Sequence, residues 1–294
     1  MIELRDMQLL VALARHKHFA RAAADCGISQ PAFSMRIRNL ETEMDTAIVR
    51  RGNRFEGFTE EGEVILRWGR KMLEDAKAMG QEVGSVRGAV SGTLTIGVVP
   101  TALAYAAQIP ALLRAEYPDV VPRILSATSL QIFQGMEDGT LDAGVTYGEG
   151  VPPDMEAPLP LYQERYVLLV PAALAPRAEG AATWAEAAAV PLTLLEPGMQ
   201  NRRILNGVFA GIGAEPQVVM ESNTFTACLA PVVEGVAATI VPEALVEALW
   251  LGEETRALPL TKPEESKAIC LVTRSGSLAT VAALKRVLGA VEAQ

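Results

Sequence analysis

Two groups of residues in the 294-residue sequence have the types and spacing for recognition chemistry. The first is the run Gln30-Pro31-Ala32-Phe33-Ser34-Met35-Arg36-Ile37-Arg38. Arginine can donate a bidentate pair to guanine, and Gln or Asn can pair with adenine. Soon after it, Arg50-Arg51-Gly52-Asn53-Arg54-Phe55 reads as a two-stranded wing, with arginines such as Arg51 and Arg54 placed to sit on phosphates. The second group is four turns that each follow a strand pattern and open a helix pattern: Pro100-Thr101, Ala127-Thr128-Ser129, Gly198-Met199-Gln200-Asn201-Arg202 and Ser222-Asn223-Thr224-Phe225. Hydroxyls, amides and an arginine around the unpaired N–H groups of helix starts make a cradle for a carboxylate or similar anion. Both groups have a plainer reading. Polar helix faces are often only solvated, and Ser, Thr and Asn at helix starts are often only caps.

The elements around the first group read as helices. Leu4, Met7, Leu10, Val11 and Ala14 give an amphipathic helix near 3–15, and a short helix runs from Ala20 to Asp25. It stops at Cys26-Gly27, where glycine suits a left-handed cap. Ser29 caps a third helix with Pro31 in its first turn. In that helix Phe33, Ile37, Leu40 and Met44 form one apolar stripe. Pro31, Met35, Arg38, Asn39 and Thr42 face away from it, with Ala32 and Ser34 on the flanks. Helix, glycine turn and polar helix make a helix-turn-helix. Thr59 caps a further helix that opens on Glu60-Glu61. Ile65, Trp68, Met72, Ala76, Met79, Val83 and Val86 then recur as a heptad seam, the pattern of a two-stranded coiled coil. One helix packed on its own domain is the alternative.

Beyond Gly92, strands and helices alternate, which predicts a mostly parallel sheet. A strand at 93–98 is followed by a helix over 101–116, a strand near 120–126, a helix near 129–137 and a strand over 141–145. A second set of strands covers 165–170, 192–195, 217–221 and 238–241. The strand 267–273 and the helix 278–292 return to the first set, so the chain crosses between lobes near 146–164 and 260–267.

Charge divides the chain in the same place. The total is −9, which by itself argues against nucleic acid. Residues 1–87 hold 14 basic against 13 acidic side chains, while the remainder holds 12 against 22. A mildly basic head on an acidic body indicates two tasks in two places. Half of the residues are hydrophobic, as expected of a core-forming protein, and no run is long and apolar enough for a membrane span or a signal peptide. Cys26, Cys228 and Cys270 are too widely spaced for a disulfide framework or a zinc site. His16 and His18, the two histidines, lie in the head. No nucleophile–base pair and no G-x-G-x-x-G after a strand is present, so neither an enzyme, a metal nor a cofactor is expected. Cys228 and Cys270 raise the thought of a peroxide sensor, but they lie far apart in the sequence on a predicted helix and a predicted strand and read instead as buried structural thiols.

The run from Phe19 to Ser34, continued by Ile37-Arg38-Asn39-Leu40-Glu41, Val49-Arg50-Arg51 and Phe58-Thr59-Glu60-Glu61-Gly62, resembles the winged helix-turn-helix of LysR-type transcriptional regulators. Three departures stand out: Ala20 where the family has Ser or Thr, Asp45 where a glycine commonly ends the recognition helix, and Ile48-Val49 for Leu-Phe before the wing. The resemblance implies an α/β protein in three parts. These are a winged helix-turn-helix over 1–59, a linker and dimerisation helix over 60–88, and a two-lobed effector domain over 89–294, like periplasmic binding proteins of type 2. Lobe I would take 89–161 and 267–294, and lobe II 162–266. In this reading Gln30, Pro31, Ser34 and Arg38 enter the major groove, Arg36, Arg51 and Arg54 sit on the DNA backbone, and Ala32 and Met35 are DNA-binding residues beside them. Thr101, Thr128, Ser129, Met199, Arg202, Asn223 and Phe225 would hold a small anionic effector. Expected partners are promoter DNA with dyad-symmetric half-sites, further copies of the chain as homodimer or homotetramer, and RNA polymerase, in the cytoplasm. The stretch 15–39 is similar to LysR-type regulators encoded beside formate dehydrogenase genes. A two-lobed solute-binding or enzymatic protein, its head used only for dimerisation, is the alternative.

Overall fold

The structure is a computed structural model that describes residues 2–50, 55–86, 90–176, 180–248, 254–276 and 278–292. The chain forms two compact units, one of residues 1–89 with 137–140 and one of the rest.

The first unit contains α1 (Leu4–His16), α2 (Phe19–Asp25), α3 (Gln30–Glu43) and the long α4 (Glu60–Val86). Met7, Leu10, Phe33, Ile37, Leu40 and Leu66 close its core, so the stripe predicted on the third helix is the buried one. Gly27 takes φ +67 in the turn between α2 and α3, a conformation that glycine adopts without penalty. Ser29 caps α3 by accepting from Ala32 N–H at 3.4 Å. Asp45, in the place of a glycine, adopts the same left-handed region at φ 48, one of the few it visits with modest cost. Val49 bridges Phe58 in antiparallel fashion, forming the base of the expected wing. Along α4, Trp68, Met72, Met79 and Val83 of the predicted seam are exposed.

The second unit opens with β1 (Gly92–Val98), a 3-10 turn (Pro100–Ala102), α5 (Leu103–Ala106) and α6 (Ile109–Glu116). The single helix expected over 101–116 is therefore broken in two. Pro110 has no N–H to give to Ala106, so the ladder cannot run through. Next come β2 (Val120–Ser126), α7 (Ser129–Glu137), β3 (Ala143–Tyr147) and the 13-residue β4 (Leu159–Pro171). They are followed by β5 (Ala182–Thr183), α8 (Trp184–Ala188), β6 (Leu192–Leu195), α9 (Gln200–Gly211), β7 (Val218–Ser222) and α10 (Phe225–Val233). The unit ends with β8 (Ala238–Pro242), α11 (Glu243–Ala248), β9 (Thr255–Thr261), β10 (Ser266–Val272) and α12 (Ala279–Glu292).

The main strand order is β2-β1-β3-β10-β4-β8-β6-β7. Pairing is parallel within each lobe's outer strands but antiparallel where β4 and β10 meet their neighbours. The expectation of a mostly parallel sheet thus holds only away from the centre. The first crossing is not a connecting segment either. β4 pairs with β10 over Leu159–Arg165 and then with β8 from Tyr166 onward, so one continuous strand belongs to both lobes.

Candidate functional site

In the first unit, α3 presents Gln30, Pro31, Met35 and Arg38 to solvent, with Ala32 and Ser34 half-buried. Met35 is 59% exposed, an unusual place for a large apolar side chain and a suitable one for a thymine methyl. Arg36 is otherwise engaged. Its guanidinium donates to Glu3 at 2.6 Å and Asp6 at 3.0 Å, tying α3 to the start of α1, and the Glu3 carboxylate holds its pKa above the usual value. Arg51 and Arg54 lie outside the described residues.

In the second unit, the carboxyl ends of β1, β3 and β6 and the N-termini of α7 and α9 line one cleft. It is small and partly open to solvent, and its walls include Thr101, Thr128, Ser129, Tyr147, Met199, Gln200 and Asn201. Thr101, Thr128, Ser129 and Met199 were expected there. Thr128 also caps α7, accepting from Gln131 N–H at 3.3 Å, and Ser129 Oγ accepts from Thr146 Oγ1 at 2.9 Å. Met199, the N-cap residue of α9, gives that helix no side-chain cap. Its first N–H groups are left for whatever enters the cleft.

The other three expected residues do not line it. Arg202, 7% exposed, donates to the Leu195 carbonyl at 2.8 Å, to Glu221 at 2.9 Å and to Asn206 at 2.9 Å. Phe225 packs with Val167, Leu169 and Cys228 in the second core of this unit. Asn223 is exposed, and Thr224 beside it is the cap of α10. All three sit at a helix start as predicted, but Arg202 is satisfied by its own acceptors, Phe225 is packed in a core and Asn223 stands exposed beside the Thr224 cap.

Three residues beyond the seven expected matter here, of which Tyr147 and Glu164 were not foreseen and Asn201 belongs to one of the four predicted turns. Tyr147 ends β3 at the cleft wall, its hydroxyl 3.2 Å from Thr101 Oγ1 and donating to Glu164 Oε1 at 2.8 Å. Burial, and then the Glu164 carboxyl, raise the Tyr147 pKa well above its usual value. Glu164 is 1% exposed, and burial pushes its pKa up to about 7 although the Tyr147, Thr101 and Tyr166 hydroxyls lower it. Asn201 is 3% exposed on the cleft wall, near enough to the Tyr147 hydroxyl to lower its pKa, but neither its Oδ1 nor its Nδ2 reaches hydrogen-bond geometry with a partner. A buried amide left unsatisfied costs about 1–3 kcal/mol, which a ligand in the cleft would recover. Position at a strand's carboxyl end was the signal that could have found Tyr147.

Among the described residues, no cluster of three or more His, Cys, Asp or Glu could hold a metal, and no helix is long and apolar enough to cross a membrane. Residues 87–292 match the model of the LysR substrate binding domain, and residues 4–63 that of the bacterial regulatory helix-turn-helix protein, lysR family. The chain belongs to the LysR family of transcription regulators. It is not an enzyme.

Among its LysR relatives is a hydrogen peroxide-inducible genes activator of Haemophilus influenzae, 28% identical over 291 residues, covering 94% of this chain and 92% of that one. The DNA-binding transcriptional dual regulator OxyR of Escherichia coli is 29% identical over 280 residues, with 94% and 90% covered. Full-length OxyR from Pseudomonas aeruginosa, solved as a cysteine-to-aspartate variant, has the same fold at a TM-score of 0.75 and 22% identity, covering 98% of this chain and 95% of that one. The LysR family regulator CbnR in complex with its target DNA follows at a TM-score of 0.66 and 22% identity, with 98% and 99% covered. The residues lining the cleft here include no cysteine. Cys228 is fully buried in a core, which pushes its thiol up to about 11, and Cys270 is 4% exposed on β10. A peroxide-reactive thiol must be accessible and largely ionised. Neither cysteine of this unit meets that description.

Proposed function

We propose that this LysR regulator senses a small anionic metabolite in the cleft of residues 89–294 and reads promoter half-sites with residues 1–59, paired through the exposed seam of residues 60–88. The observation that carries the effector reading is the convergence of the α7 and α9 N-termini, hydroxyls from Thr101, Ser129 and Tyr147, and the unpartnered Asn201 amide on one cleft. Helix N-termini favour negative charge. Gln30, Pro31, Ser34 and Arg38 meet the bases, Ala32 and Met35 give apolar contact, and Arg51 and Arg54 serve the DNA backbone, while Arg36 holds α3 to the start of α1. The acidic body keeps non-specific contact low, which leaves affinity to a few arginines on two or four paired heads. Bound effector shifts promoter output, through RNA polymerase in the cytoplasm, only as far as it prefers one arrangement of the assembly. The likeness of residues 15–39 to regulators encoded beside formate dehydrogenase genes makes formate one of the anions to try.

Two measurements test this. In a gel shift on the intergenic DNA upstream of the gene, binding should fall steeply with salt, and Arg38→Ala should cost about 1–3 kcal/mol and relax base preference. Absence of binding even at low salt would sink the DNA assignment. In a thermal-shift series with small carboxylates, an anion at a hundredfold excess over its Kd should stabilise the protein by about 2.7 kcal/mol. Asn201→Leu should match or exceed the unliganded stability of the parent and lose most of that ligand shift. An undiminished shift in Asn201→Leu would show that the anion binds elsewhere.

A further inference from the structure

Behind the cleft wall lies a carboxyl group to which the recognition of an anion gives no role. Glu164 stands on β4 opposite Lys267 of β10, two residues before the strand passes to β8 in the other lobe. It is 1% exposed. Its Oε1 accepts from the Tyr147 hydroxyl at 2.8 Å, and Tyr147 and Thr101 both line the cleft. Its Oε2 has no hydrogen-bond partner.

The charged groups on the surrounding elements are committed elsewhere. Lys267 sends its ammonium to Glu149 at 2.9 Å and Glu265 at 3.3 Å. On α12, Lys285 pairs with Glu156 and Arg286 lies 3.9 Å from Glu116. On α9, Arg202 is held by Glu221. Glu243 and Glu247 on α11, Arg256 on β9 and Arg165 on β4 itself are exposed, while Cys228 on α10 belongs to the second core. The groups that act on the Glu164 carboxyl are the Tyr147, Thr101 and Tyr166 hydroxyls, and its charge acts in turn on Tyr147, Tyr162 and Tyr166.

A tyrosine hydroxyl has one proton to donate. While Glu164 is ionised, that proton points at Oε1, away from the cleft. A protonated Glu164 can instead donate to the Tyr147 oxygen, and the tyrosine O–H then turns to the ligand. Resting on the anionic reading of the cleft, we propose that Glu164 decides which ligand charge the cleft accepts. Protonated, it releases the Tyr147 hydroxyl to a small anion; ionised, it withholds that hydroxyl and repels the anion. Binding of the anion then takes up one proton from solvent on to Glu164. Burial places the carboxyl's titration near pH 7, where this linkage operates at ordinary pH.

Isothermal titration of the full chain with formate, acetate and nitrate, all of which stay ionised throughout, tests the proposal. Affinity should be roughly tenfold higher at about pH 6 than at about pH 8, and near pH 8 the heat should vary with buffer in proportion to about one proton taken up. Glu164→Gln should bind with one affinity at both pH values, close to that of the parent at the lower. Tyr147→Phe should weaken binding at the lower pH and flatten the dependence. Equal parental affinity at both pH values, or tighter binding at the higher, overturns the role of Glu164 and leaves the anionic reading standing. Absence of binding by all three anions at either pH overturns the anionic reading, and this inference with it.

Discussion

Alanine at Gly62 is expected to destabilise the DNA-binding head by about 3 kcal/mol or more, the upper range for overpacking a filled site. A Cβ on Gly62 would lie 2.1 Å from the Ile48 carbonyl oxygen and 2.9 Å from its carbon. Those are backbone atoms, and their segment is held from several sides. Ile48 and Val49 donate their N–H groups to Glu41 Oε1 at 2.9 and 3.2 Å, while the Ile48 carbonyl accepts from Thr59 N–H at 3.0 Å. Thr59 Oγ1 in turn donates to the Ala47 carbonyl at 2.6 Å and accepts from Gly62 N–H at 2.9 Å. The start of α4 would have to lift off the segment that leads into the wing. Gly80 is the control. It lies on the same helix with nothing within 4 Å of its own Cβ position. There alanine should follow helix propensity and stabilise by about 0.5–1 kcal/mol. Thermal unfolding followed by circular dichroism, with a gel shift on each variant, checks both; an unchanged Tm in Gly62→Ala would refute the steric account.

That pair of glycines shows why the head was legible in the sequence. The Thr59-x-x-Gly62 spacing records a cap and a close approach at one point, and both constraints act over a few residues. Ser29 and Gly27 are read for the same reason, because a cap and a left-handed turn are local. The cleft is assembled from residues a hundred positions apart, and there local signals mislead. Arg202 has the type and position of an anion ligand, yet Leu195, Asn206 and Glu221 satisfy it inside the lobe. Asn223 and Phe225 belong to a turn of the same composition as the one before α9, but Thr224 caps its helix and Phe225 faces a core. What separates the two turns is Met199, which cannot cap, followed by Asn201, which ends up buried. β4 was read only from Arg165 because Pro160, Gln163 and Glu164 interrupt its apolar pattern. The interruption at Glu164 is where the strand changes lobes and where an acid is buried, and nothing in a single sequence marks that acid as different from a solvated one.

The buried acid should also be visible in stability without any ligand. Replacing Glu164 by glutamine is expected to stabilise the protein at about pH 8 by up to about 3 kcal/mol, since each unit of pKa shift corresponds to about 1.4 kcal/mol. The sign follows from the direction of the shift. Burial raises the folded-state pKa from the carboxyl's ordinary 4.5 to about 7. Below the ordinary value Glu164 is protonated in both states and costs nothing. As pH rises between the two values the unfolded chain loses its proton and the folded chain keeps it, so unfolding is favoured increasingly with pH. Above about 7 both states are ionised and the penalty is constant. Glutamine has no such proton, and its amide can either accept from the Tyr147 hydroxyl or, turned over, donate to it. The difference between Glu164→Gln and the parent should therefore be under about 1 kcal/mol at about pH 5, widen to about pH 7, and level off. Other carboxylates titrate equally in both proteins and cancel. Urea unfolding of parent and variant across that range measures it directly. A variant that is less stable than the parent at high pH would mean that the ionised carboxylate is favourably held, and a favourably held carboxylate could not switch the Tyr147 proton between itself and the cleft.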